Sequence, residues 1–181
     1  MSEATPPEFS RPVSLQQIVG TPLRLEASET ERAALARRFA ISAVNSLTAE
    51  VSLERKGDRV SAQGTLTADI VQPCAVSGED FPVHIEEEIA LRFVPEGTIH
   101  PSLQEGDEIE IELEADDLDE IEYTGDTFDV GEAIAQTLAL AIDPYAEGPA
   151  ADETRRKAGI ITDDAPSGPL AAALGAALKG K

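Results

Sequence analysis

The chain has 181 residues, of which 35 are acidic and 14 basic, giving a formal net charge of -21. The length suits one ordinary domain, and a composition of 41% hydrophobic but only 4% aromatic residues indicates an aliphatic core. No apolar run approaches the roughly 20 residues of a membrane-spanning helix. A single cysteine excludes an internal disulfide, and the N-terminal residues do not resemble a secretory signal, so we expect a cytoplasmic protein.

The first predicted helix follows a proline-rich start. Residues 1–12 contain three prolines among small polar residues, which predicts a flexible arm. Ser28 and Glu31 have the spacing of a capping box, which predicts a short amphipathic helix over residues 29–39. Its basic residues lie mostly towards the C-terminal end, as the helix dipole favours, and they are Arg32, Arg37 and Arg38.

From Ala43 the hydrophobic period changes to that of β-strands. Apolar residues on both sides of the KGD turn at residues 56–58 predict a hairpin, and Gly64 is predicted to mark a bulge. PCAVSGEDFP, residues 73–82, is predicted to be a turn into a further strand over residues 83–93. The first half of the chain therefore predicts neighbouring strands of one sheet.

An acidic segment follows. EIEIEL, residues 108–113, alternates glutamate with Ile and Leu, which predicts a half-buried strand with an acidic outer face. No Lys or Arg occurs between Arg92 and Arg155, so this surface favours a basic partner over nucleic acid. A calcium site is disfavoured, because no glycine lies in register with the carboxylates. The predicted partner-binding residues are Glu108, Glu110, Glu112, Asp116, Asp117, Asp119 and Glu120.

The strongest helix prediction lies near the end of the domain. Asp129 and Glu132 form a second capping pair, and VGEAIAQTLALAI, residues 130–142, has helical spacing of apolar residues. These residues, with Leu140 among them, are predicted to pack on the sheet. The following Asp-Pro dipeptide ends the helix.

The predicted fold class is α+β: an antiparallel β-sheet, barrel-like or open, with two packed helices and flexible termini. A single domain is predicted over residues 13–149. Residues 150–181 are rich in small residues and are predicted to be a flexible tail, in which the leucine spacing suits a short helix at 169–178.

Cys74 is the only residue that raises the question of catalysis. A reactive thiolate needs a nearby cation, histidine or helix N-terminus, whereas Glu79 and Asp80 would disfavour it. His84 lies beyond the turn, and one cysteine with two histidines at wide spacing does not predict a zinc site. We therefore expect no catalytic residue, no metal and no cofactor.

The order of these segments resembles the YceD family, whose members are called large ribosomal RNA subunit accumulation proteins. The resemblance is strongest over residues 71–86 and 123–149. Many relatives carry Cys-x-x-Cys at the turn, where this chain has Cys74 and Ser77, so a thiol-pair role does not carry over. The residues that match the family motifs are Cys74, Ser77 and Gly78 in the turn, and Asp129, Glu132, Gln136, Asp143 and Pro144 around the helix.

The resemblance implies a non-enzymatic bacterial factor that supports the synthesis, processing or stability of large-subunit ribosomal RNA. Together with the charge, it predicts an acidic adaptor for a basic ribosomal or ribosome-assembly protein, with ribosomal RNA contacted indirectly. No membrane and no small-molecule substrate is expected. Two alternatives stay open. One is a thiol-dependent enzyme at Cys74, and the other is direct RNA binding through Arg32, Arg37, Arg38, Arg155, Arg156 and Lys157.

Overall fold

The computed structural model describes residues 7–18, 20–98 and 119–160. Within these ranges the chain forms strands, helices and one 3-10 turn at Leu15–Gln17. In chain order the elements are β1 (Pro12–Ser14), β2 (Leu23–Glu26), α1 (Glu29–Arg38), β3 (Ala43–Lys56), β4 (Arg59–Pro73), β5 (Asp80–Pro95), β6 (Asp119–Tyr123), β7 (Thr127–Asp129), α2 (Val130–Ala141) and α3 (Ala151–Lys157).

The main sheet has five strands in the order β2-β3-β4-β5-β6. Strand β3 pairs antiparallel with both β2 and β4. Strand β6 runs parallel to β5, with Leu91 opposite Asp119 and Pro95 opposite Tyr123. The predicted α+β class is confirmed, and the described sheet is open. The sheet is antiparallel in its β2–β3 and β3–β4 pairs, and β6 adds one parallel pair at its edge.

One face of the sheet packs against α1 and α2. The alternating burial of β3 and β4 and the rows of apolar residues on both helices form one core. Its fully buried members include Leu35 of α1, Leu66 of β4, and Ile134 and Leu138 of α2. Both predicted helices therefore pack on the sheet.

Leu140 departs from its prediction. We expected it to face the sheet, but 84% of its surface is exposed. Two residues correspond to about 200° of rotation in an α-helix, so a residue two positions after the buried Leu138 lies on the opposite side. Leu140 therefore lies outside the hydrophobic core, as a large exposed apolar residue near the end of α2.

Both helices begin as their capping residues predict. The Ser28 hydroxyl accepts a hydrogen bond from the Glu31 backbone N–H, and the Glu31 carboxylate accepts one from the Ser28 N–H at 2.8 Å. The Asp129 carboxylate accepts a hydrogen bond from the Glu132 N–H at 3.0 Å. None of the described helices is long and apolar enough to cross a membrane.

Gly64 lies at a close approach between β3 and β4 rather than at a bulge. The register of the two strands is continuous around it, and the irregularity lies between Val44 and Ser46. A Cβ atom on Gly64 would stand 1.9 Å from the carbonyl oxygen of Glu50. The bulge prediction is therefore wrong, and the glycine serves the approach of two backbones.

The described chain divides into two compact units. The first, here called the sheet unit, comprises residues up to Gln72 and Pro82–Asp143. The second, here called the cysteine-turn unit, comprises Pro73–Phe81 and the residues from Pro144 onwards. The latter includes α3, inside the segment predicted as a tail. In the sheet unit Phe9, from the predicted arm, is 1% exposed.

Replacing Gly64 by Ala should destabilise the protein by about 1–3 kcal/mol, because the new methyl group would force β3 and β4 apart. Denaturant unfolding measures this free energy. The control is Gln63→Ala, at an exposed neighbouring position. Equal stabilities of the two variants would contradict the close approach.

Candidate functional site

The turn that contains Cys74 is closed by its own backbone. The Gly78 N–H donates to the Cys74 carbonyl, and the Cys74 N–H donates to the Glu79 carbonyl, both at 2.9 Å. Gly78 has a φ of 71°, a conformation that side-chain-bearing residues rarely adopt. The family-motif glycine is thus explained by backbone geometry.

The sulfur of Cys74 lies in a cradle of hydrogen-bond donors. The backbone N–H groups of Val76 and Ser77 donate to Sγ at 3.4 Å each. Hydrogen bonds from the Ser77 hydroxyl and then the Ser77 backbone N–H, together with the backbones of Gly148 and Val76, outweigh burial and lower the pKa of the Cys74 thiol to about 7. Donors aimed at the sulfur stabilise a thiolate without any cation. Ser77 therefore stabilises the thiolate through both its hydroxyl and its backbone N–H.

A second segment of the same unit completes this cradle. The Ala75 N–H donates to the Ala146 carbonyl at 3.1 Å. A Cβ atom on Gly148 would stand 2.9 Å from the Phe81 ring, so only glycine fits there without a shift. Parts of the two stretches that resemble the family most strongly, residues 73–81 of 71–86 and residues 144–149 of 123–149, thus share the cysteine-turn unit.

Access to the thiol is limited, because Cys74 is 3% exposed. His84, in the sheet unit, has its Nδ1 atom 2.7 Å from the Asp69 carboxylate. No group of three His, Cys, Asp or Glu side chains among the described residues could hold a metal. The other histidine, His100, lies outside the described residues.

Asp129 and its neighbours in the second family motif hold the N-terminal segment. Besides capping α2, the Asp129 carboxylate accepts hydrogen bonds from the Ser10 hydroxyl at 2.5 Å and the Arg11 N–H at 2.8 Å. A Cβ atom on Gly131 would stand 2.5 Å from the Phe9 carbonyl oxygen. Glu132 pairs with Arg38 at 2.7 Å. These motif residues therefore make contacts within the protein.

The remaining motif residues of this helix have smaller contacts. The Gln136 amide donates to Glu132 at 2.9 Å, and the Asp143 carbonyl accepts from the buried Gln72 side chain at 2.9 Å. Pro144 follows the last helical turn and begins the part of the cysteine-turn unit that contains α3. Gln136, Asp143 and Pro144 were identified by resemblance to the family. Nothing in the local sequence pattern indicated that Asp129 contacts the N-terminal segment.

Most of the predicted acidic face lies outside the described residues. This holds for Glu108, Glu110, Glu112, Asp116 and Asp117. Asp119 and Glu120 lie on β6, where both are exposed. Glu120 forms an ion pair with Arg92 at 3.1 Å, whereas Asp119 has no basic partner among the described residues.

Half of the six basic residues proposed for RNA are paired with acids. Arg38 binds both Glu8 and Glu132, and its pKa is raised above the ordinary value, chiefly by the hydrogen bonds that it donates to Glu132. Arg155 binds Glu147, and Lys157 lies 2.7 Å from Glu153. Arg32 donates to the Asn45 carbonyl oxygen. Arg37 and Arg156 form no ion pair with the residues that the structure describes.

The open α+β sheet, the cysteine turn and the capped helix α2 define a small domain without a recognisable catalytic centre in its described part. A comparison with protein families matched residues 62–164, more than half of the chain, to YceD, the large ribosomal RNA subunit accumulation protein. The chain belongs to this family. It is therefore a ribosome-related factor with a role in accumulation of large-subunit ribosomal RNA. Comparisons with curated proteins and with solved structures returned no match.

Replacing Ser77 by Ala should raise the pKa of Cys74 towards its ordinary value of 9.0, because the largest cause of the shift is lost. Thiolate absorbance during a pH titration measures this pKa, with Ser52→Ala on β3 as the control.

In the native chain the lowered pKa stabilises the fold fully above about pH 9, and this stabilisation is lost as the pH falls through about 7. A Cys74→Ala variant should lack this rise in stability. An unchanged pKa in Ser77→Ala would contradict the cradle.

Replacing Asp129 by Ala should destabilise the protein by about 1–2 kcal/mol, because an N-cap is lost. It should also increase the hydrogen exchange of the Arg11 amide, whose acceptor is removed. Thermal unfolding and amide exchange measure the two effects. Gln136→Ala, at an exposed position of the same helix, is the matched control. If Arg11 exchange stayed slow, the link between the two segments would be refuted.

Proposed function

We propose that the protein is a non-enzymatic cytoplasmic factor that supports large-subunit ribosomal RNA accumulation by holding a basic ribosomal or ribosome-assembly protein. The observation that carries this proposal is the charge balance. The chain has 35 acidic and 14 basic side chains. A surface of this kind attracts a basic protein and releases it when a stronger polyanion such as ribosomal RNA competes.

The use of the basic residues supports the same proposal. Most of the described Lys and Arg side chains have an acidic partner within the protein. The pairs are Arg11–Glu31, Arg24–Glu50, Arg38–Glu132, Arg55–Asp58, Lys56–Glu54, Arg92–Glu120, Arg155–Glu147 and Lys157–Glu153. Most of the described positive charges are thus paired with carboxylates of the same chain, and the unpaired charge that faces solvent is mainly negative.

Direct RNA binding is less well supported. It would need Lys and Arg side chains that neutralise phosphates. Arg38, Arg155 and Lys157 would first have to leave carboxylates, and the acidic surplus would repel the RNA backbone. A thiol enzyme at Cys74 is also less well supported, because a sulfur in a residue only 3% exposed offers a substrate little access.

The test is capture of partners from a lysate on the tagged full chain, with and without ribonuclease, at low and moderate salt. We expect basic large-subunit proteins to remain after ribonuclease and to leave with salt, because screening weakens exposed charge pairs. Loss of all captured protein after ribonuclease would mean that the contact runs through RNA and would overturn the proposal.

A charge-neutralised variant locates the contact. Glu108→Gln, Glu110→Gln and Glu112→Gln together should reduce the capture of basic proteins several-fold. The control replaces three exposed acids of the β3–β4 hairpin, Glu50→Gln, Glu54→Gln and Asp58→Asn, and is called the hairpin variant below. Equal capture by both variants and the unmodified chain would refute the acidic strand as the contact face.

A further inference from the structure

A groove of about 260 Å³ lies in the sheet unit beside the last turn of α2. Strand β5 contributes Glu87, Glu88 and Leu91, and β6 contributes its first residue, Asp119. Helix α2 contributes Thr137 and Leu140. The groove therefore combines carboxylates with an apolar wall.

The three carboxylates of this groove have no cationic partner in the part of the chain that the structure describes. Glu87, Glu88 and Asp119 are exposed, and none forms an ion pair with a described residue. This distinguishes them from Glu120, which Arg92 neutralises. Three neighbouring acids without a counter-charge create a negative potential that a cationic side chain would relieve.

The C-terminal end of α2 adds to this potential. Helices α1 and α3 carry basic residues in their last turns, but α2 carries none. A helix C-terminus bears a partial negative charge and favours a nearby cation. Leu140, in this last turn, has 84% of its surface exposed and forms an apolar contact point beside the acids.

We propose that this groove binds a Lys- and Arg-rich segment of a partner protein, which places an apolar side chain against Leu140. The inference rests on the proposed function, because it assigns a contact surface to the same basic partner. It adds β5 and α2 to the acidic residues that the sequence analysis singled out. Glu87, Glu88 and Leu140 were not among them.

Charge selects this occupant over others. RNA would meet three uncompensated carboxylates. A second copy of the chain in a twofold contact would bring the same three acids against each other. The acidic residues that precede β6 in the sequence, Asp116 and Asp117, would likewise be repelled. A basic segment alone relieves both the carboxylates and the helix terminus.

In the experiment the purified full chain is titrated with a synthetic peptide of Lys and Leu, in which the Leu residues recur every three or four positions. The control peptide has Glu in place of every Lys. The groove variant combines Glu87→Gln, Glu88→Gln and Asp119→Asn. It should bind the Lys peptide about tenfold more weakly, because each exposed charge pair contributes a few-fold. The hairpin variant removes the same charge elsewhere and should bind nearly as the unmodified chain does.

Leu140→Ala tests the apolar part separately. It should weaken peptide binding by a factor that persists at high salt, because apolar burial is not screened, whereas the loss in the groove variant should shrink. All four replaced residues are exposed, so melting temperatures should match that of the unmodified chain. This comparison separates binding from folding.

The outcomes separate the groove from the proposed function. Equal weakening in the groove and hairpin variants would show a general charge effect and overturn the groove. Unchanged peptide binding by the groove variant, with ribonuclease-resistant capture intact, would overturn the groove and leave the function standing. If the unmodified chain bound no Lys peptide and captured no basic protein, both would fail. RNA binding, or self-association, that the groove variant abolished would identify a different occupant and overturn the inference.

Discussion

The carboxylate of Asp129 is the interaction on which much of the sheet unit depends. It accepts hydrogen bonds from the Glu132 N–H, which starts α2, and from Ser10 and Arg11, about 120 residues earlier in the chain. Strand β1 pairs with β7 at the same point, where Pro12 lies opposite Asp129. One side chain thus caps the main helix and fixes the N-terminal segment whose Phe9 enters the core. Gly131 leaves the space that this contact needs.

The charges that fasten α1 and α2 also determine what the surface offers. Arg11 donates two hydrogen bonds to Glu31 and lowers the pKa of that carboxyl to about 2, and Arg38 joins Glu8 to Glu132. These cations hold the acidic first-turn residues of both helices, Glu31 of α1 and Glu132 of α2. The C-terminal end of α2 receives no such cation from its own last turn. Basic residues therefore pair with the first turns of α1 and α2, whereas the last turn of α2 keeps its negative partial charge.

Local patterns predicted the parts of the fold that depend on short sequence separations. The capping box at Ser28 and the N-cap at Asp129 predicted both helix starts, and alternation predicted β3, β4 and β5 with the turn at Cys74 between the last two. Long-range contacts could not be predicted in this way, because hydrophobic periodicity contains no information about partners that are far away in sequence. The parallel pairing of β6, the contacts of Asp129 and the burial of Phe9 are of this kind. The prediction for Leu140 is wrong for a different reason. Its apolar character suggested burial, but it lies about 200° around the helix from the buried Leu138.

The candidate sites divide along the same line. The turn that holds Cys74, Ser77 and Gly78 could be predicted from the sequence, but the donors to the sulfur could not, because Gly148 comes from a segment more than seventy residues later. The cradle needs no second thiol, since Ser77 supplies a hydroxyl and an N–H to the Cys74 sulfur. A site that kept a thiol for metal binding would need further ligands, and the described residues offer none. The turn therefore keeps its shape through polar contacts. The proposal of a basic partner rests instead on the exposed carboxylates of the sheet unit, a surface that needs no rare residue.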